Sequence, residues 1–104
     1  MSLDIRLIAK IETIVVDKNI THNLSAMWKE AGIYDALYNS DGKIASSVLP
    51  ILEEGLNQMI SYPSRFKQFD SPNGWGTYKH AVRWLSELIV SFKEYPNGVI
   101  GVLK

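Results

Sequence analysis

Leu3-Asp4-Ile5-Arg6-Leu7-Ile8-Ala9-Lys10-Ile11-Glu12 decides the fold class, because it alternates. In an extended chain Leu3, Ile5, Leu7, Ala9 and Ile11 fall on one side, and Asp4, Arg6, Lys10 and Glu12 on the other. Period two with branched apolar residues is the pattern of a half-buried strand with one wet face. The run continues through Thr13-Ile14-Val15-Val16, which is long for one strand, since about five or six residues is usual. The reading is therefore a bend or bulge near Lys10–Glu12, or two short strands. At the far end, Val99-Ile100-Gly101-Val102-Leu103 reads as a closing strand after the turn pair Asn97-Gly98. A lone short strand needs a neighbour, and the N-terminal strand is the obvious one.

Three helical stretches lie between. Leu24, Met27, Trp28 and Ala31 make an apolar stripe over 19–32, with Asn19 or Thr21 as N-cap and Gly32 as the stop. Tyr34–Tyr38 adds a short turn of helix before the turn residues Asn39-Ser40-Asp41-Gly42. Ile44, Val48, Ile51, Leu52, Leu56, Met59 and Ile60 share one face of a helix over 43–61. Pro50 inside it predicts a kink or a fresh start, and Pro63 ends it. Residues 64–72 read as a loop anchored by Phe66 and Phe69. Tyr78, Ala81, Val82, Leu85, Leu88, Ile89 and Phe92 form the cleanest stripe, over 77–93. The expected fold is α+β, a small antiparallel sheet from the N-terminal strand or strands and the C-terminal strand, covered by three helices in one domain spanning 1–104.

Composition narrows the function classes. The 104 residues are 46% hydrophobic and include three Trp, five Tyr and three Phe, enough for one core. Eleven basic and eleven acidic residues give no net charge and no basic stripe, which disfavours general nucleic-acid binding. The absence of cysteine removes disulfides and thiolate chemistry and suits a reducing cytoplasm. No window reaches the roughly 18 apolar residues of a spanning helix, and no signal peptide is read at the start, so neither membrane insertion nor export is expected.

Two polar motifs remain, both placed at helix starts. Asn73-Gly74-Trp75-Gly76 precedes the third helix, and its glycines permit backbone dihedrals and close approaches denied to other residues. Unpaired amides at a helix start favour an anion, and Lys79, His80 and Arg83 would strengthen that preference. Trp75 could stack on a base or sugar. The plainer reading makes the glycines a tight turn, Asn73 or Thr77 a cap, and Trp75 a core plug. The second motif, Asn19-Ile20-Thr21-His22-Asn23, is dense in hydrogen-bonding groups for a strand-to-helix junction. Capping accounts for one or two of them. His22 could act as an acid or base near neutrality, donate to a ligand, or pack against a backbone carbonyl. The two histidines lack metal-ligand spacing and no Gly-x-Ser-x-Gly occurs, so no metal, cofactor or serine nucleophile is expected. Glu87 is spaced to pair with Arg83, for a few tenths of a kcal/mol.

At these residues the chain resembles a family of small uncharacterised proteins encoded by bacteriophages and bacteria, often in prophage-like regions. The resemblance rests on Asn19-Ile20-Thr21-His22-Asn23-Leu24, Ala31-Gly32-Ile33-Tyr34, the stretch from Phe69 through Asn73-Gly74-Trp75-Gly76 to Tyr78, and Lys93-Glu94-Tyr95-Pro96. Met1-Ser2-Leu3-Asp4 also fits, and the chain departs in carrying Tyr38 where such proteins often have tryptophan. The resemblance implies a viral or host-associated setting and no particular reaction. The leading expectation is a binding protein for a small polar or anionic, nucleotide-like ligand, held by Asn19, Thr21, His22, Asn23, Asn73, Gly74, Trp75, Gly76, Lys79 and Arg83. In a phage setting its natural version sequesters a host defence signal. The alternative is a protein–protein module, such as an inhibitor of a host protein or an oligomeric accessory factor. An enzyme using His22 ranks third.

Overall fold

A computed structural model describes residues 2–8 and 14–104. The opening alternation becomes β1 (Ser2–Ile8), with Leu3, Ile5 and Leu7 buried and Asp4 and Arg6 on the opposite face. A second strand, β2 (Ile14–Thr21), pairs with it antiparallel, from Ser2 opposite Thr21 to Leu7 opposite Val16. Of the two readings of the long N-terminal run, two short strands is the one observed. The register slips between Leu7 and Ile8, where a bulge lets Ile8 face Ile14. The expected bend at Lys10–Glu12 lies outside the described residues. The closing strand, β3 (Val99–Leu103), pairs antiparallel with the other side of β1, giving the order β2-β1-β3.

Helices cover the face that carries Leu3, Ile5, Leu7, Val16, Ile20 and Ile100, all within one core. The first expected helix starts later than Asn19. Asn19, Ile20 and Thr21 belong to β2, and the chain turns through a 3-10 segment (His22–Leu24) into α1 (Ser25–Glu30). Ile20 explains the difference: its side chain is buried opposite Leu3, so the strand gains by continuing to it. Thr21, the other expected cap, does the capping, its hydroxyl accepting from the Asn23 amide at 3.2 Å. After a turn at Gly32 (φ 77°) comes α2 (Tyr34–Tyr38).

The long middle helix, α3 (Ala45–Ser61), begins two residues after Lys43. Those residues are held by β3 instead: the Lys43 carbonyl accepts from the Ile100 amide at 2.8 Å, and Ile44 bridges Val99. Pro50 sits exposed within α3, which continues through it as one element. Pro63 ends α3 and also opens a short helix, α4 (Pro63–Lys67), inside the stretch expected to be loop. Its Phe66 is fully buried and Phe69 packs against the same core, so both anchor as expected. The last helix, α5 (Tyr78–Glu94), buries Ala81, Trp84, Leu85, Leu88, Ile89 and Phe92. The Tyr78 hydroxyl donates to the Met59 carbonyl at 2.7 Å and ties the start of α5 to α3. Among the described residues no helix is long and apolar enough to cross a membrane.

Candidate functional site

The end of β2 and the turn before α5 meet. Asn23 Nδ2 donates to the Trp75 carbonyl at 2.9 Å, across 52 positions of sequence. Gly76 lies against the same junction, with φ at 99°, and a Cβ built on it would come within 3.2 Å of the side chains of Asn23 and Thr21. The Asn73 carboxamide oxygen accepts from the Trp75 amide at 2.9 Å and from the Ser71 hydroxyl at 2.6 Å, which sets the turn. Gly74, at φ 78°, completes it.

Where the two segments join they enclose an open hollow of about 750 Å³, a size ordinary for small-molecule sites. Asn19, Thr21 and Asn23 line one wall, and Asn73, Gly74, Trp75 and Gly76 the other. Ser2 and His80 line it as well. Trp75 is 70% exposed, so the plainer expectation of a core plug is not what is observed. The tryptophans in the core are Trp28 and Trp84, with ring centroids 5.8 Å apart.

Lys79 and Arg83 stand on the next face of α5. With Thr77 and His80 they line a smaller hollow of about 340 Å³, and His80 belongs to both. Glu87 pairs with Lys18 at 3.5 Å rather than with Arg83, so Arg83 has no acidic partner among the described residues.

His22, like Lys79 and Arg83, is absent from the lining of the larger hollow, and it takes part in neither hollow. Its Nδ1 shares a 2.8 Å hydrogen bond with the Tyr38 hydroxyl, and the rings are 5.4 Å between centroids. The Ser25 hydroxyl donates to the His22 carbonyl at 2.6 Å. The imidazole thus packs against α2 instead of lining the hollow. Burial pushes the Tyr38 hydroxyl above its ordinary pKa of 10.0, the Ser25 hydrogen bond works in the opposite direction, and Tyr34 adds a further upward push. The folded state therefore holds the neutral phenol. That contribution to stability is fully present below about pH 10 and is lost as pH rises through the elevated folded value. Tyr38→Phe is expected to flatten the alkaline limb of a stability–pH curve measured by urea denaturation. An unchanged slope above about pH 10 would contradict it.

The start of α5 is less receptive to anions than its position suggests. The Asp70 carboxylate accepts from the Tyr78 amide at 2.6 Å, and the Thr77 hydroxyl accepts from the His80 amide at 3.4 Å. The protein's own anion already sits at the positive end of the helix. Sequence reading missed Asp70, because its partner is eight residues away across a turn. It missed Ser2 as well, which reaches the hollow only because β1 pairs its first residue with Thr21.

Comparison with protein-family models, curated proteins and solved structures finds no match.

Among the described residues no group of three His, Cys, Asp or Glu side chains is placed to hold a metal ion. The hollow offers a large aromatic face, several carboxamides and hydroxyls, and a cationic shelf beside it. His22 is not among the residues that line the hollow.

Proposed function

We propose that the protein binds a small polar, nucleotide-like ligand in the hollow between the end of β2 and the turn before α5. The observation that carries this reading is Trp75, 70% exposed on the wall where both polar motifs meet. A large indole left in water costs the fold burial that it gives its other two tryptophans, and an exposed aromatic over a polar concavity is how bases and sugars are held. In the phage-type setting implied by the sequence resemblance, such a protein in the host cytoplasm would serve to sequester a nucleotide-like defence signal.

Thermal-shift screening against a nucleotide panel tests the reading, because a ligand that binds only the folded form raises the melting temperature. A shift is expected with the wild-type protein. Trp75→Ala is expected to leave the melting temperature of the free protein within a degree or two, as the side chain packs little, and to weaken binding about 10- to 100-fold. No shift with any nucleotide would overturn the proposal. The second reading, a module that grips a host protein, rests on the same exposed indole used as an interface anchor. It predicts a Trp75-dependent complex and no response to nucleotides.

A further inference from the structure

The hollow and the shelf beside it differ in charge, and the difference assigns the two ends of a ligand; this inference rests on the nucleotide-like reading above. Asn19 spends its amide protons on Ser2 Oγ and Asp4 Oδ1, which leaves its carboxamide oxygen as an acceptor. Asn73 spends its oxygen on Ser71 and Trp75, which leaves its NH₂ as a donor. Thr21 Oγ accepts from the Asn23 amide, so its proton is free to be donated. These neutral donors and acceptors line the same hollow as Trp75. Among the described residues no lysine or arginine lines that hollow, and the Asp4 carboxylate is hydrogen-bonded to Asn19.

Lys79 and Arg83 are gathered instead around the adjoining hollow, reached past His80. Of the amides at the start of α5, those of Tyr78 and His80 are already held by Asp70 and Thr77, which weakens the pull of the helix end on an anion. The rest of the attraction for a phosphate comes from exposed side chains, which water and salt weaken.

We infer that the hollow recognises the nucleoside part of its ligand, base and ribose against Trp75 and the carboxamides, while a 5′-phosphate rests on the Lys79–His80–Arg83 shelf and adds little. The unspent groups match a nucleobase edge or a ribose diol, which need donors and acceptors together. A phosphate needs donors alone.

Calorimetric titration with the four ribonucleosides, their 5′-monophosphates and sodium pyrophosphate tests the assignment. At least one nucleoside is expected to bind measurably. Its monophosphate is expected to bind only about three- to tenfold more tightly, and that gain is expected to vanish in a Lys79→Ala/Arg83→Ala variant and at about 0.5 M salt. Pyrophosphate alone is expected not to bind. The inference is overturned if pyrophosphate competes with the nucleotides, or if nucleotides bind and no nucleoside does; the nucleotide-like reading would survive either result. Absence of binding by every compound sinks both. Circular dichroism and the melting temperature of the double variant show that it is folded, since both positions are exposed.

Discussion

Trp28→Ala is expected to destabilise the protein by about 3–5 kcal/mol, the usual cost of emptying a buried aromatic site. A domain of this length has in all about 5–15 kcal/mol to lose. Trp28 is 0% exposed, sits on α1 in the same core as the inner face of β1, and lies tilted against Trp84 of α5. Its removal separates the first helix from the last. One term runs the other way, because Trp28 Nε1 is buried with no hydrogen-bond partner among the described residues. A buried donor left unpaired costs about 1–3 kcal/mol, and substitution relieves it. Trp28→Phe, which keeps most of the packing and drops the N–H, is accordingly expected to lose much less than Trp28→Ala. Urea denaturation of the two variants measures this. Equal losses would show that shape complementarity outweighs the unpaired donor.

What could be read in the sequence was what repeats. The period-two run of β1 and the stripe of α5 are legible because every second or every third-to-fourth residue is apolar, and both elements are buried along that pattern. The end of β2 was hidden by Lys18, which stands on the inner face between Val16 and Ile20 and so breaks the alternation. A strand continuing to Thr21 then looks like a helix cap followed by a helix. The five residues of α4 are too few to show a period, and their one signal was Pro63 at the first helical position.

The candidate site was legible as composition, not as geometry. Asn19, Thr21, Asn23 and the Asn73–Gly76 turn are brought together around one hollow. Nothing in a sequence says which way a ring turns, and His22 turns to Tyr38. Nor does it say that a large apolar side chain such as Trp75 will be left outside while two others go in. That choice is made by Gly76, whose backbone occupies the place where the turn meets Thr21, Asn23 and Leu24, so that the residue before it is carried over the hollow.

Gly76→Ala is therefore expected to cost about 2–5 kcal/mol and to remove the proposed ligand binding with it. Two terms contribute. At φ 99° an L-residue is strained, by about 1–2 kcal/mol. The new methyl would also lie 3.2 Å from Asn23 Cβ and Thr21 Cγ2 and 3.3 Å from Leu24 Cγ, and overpacking of this kind costs about 1–3 kcal/mol. Two of these three neighbours cannot easily withdraw: Thr21 is pinned opposite Ser2 in the sheet, and Leu24 is fully buried. The turn itself must lift, which stretches the Asn23–Trp75 hydrogen bond and opens the hollow. Gly74→Ala is the control, because Gly74 has a positive φ as well but nothing within 4 Å of a built Cβ. It is expected to show the strain term alone, with a smaller loss of stability and a binding site that still forms. Denaturation midpoints and nucleotide titrations on the two variants separate these effects. Identical losses at both positions would mean that the close approach at Gly76 does not hold the two segments together, and that the hollow is shaped by something other than their contact.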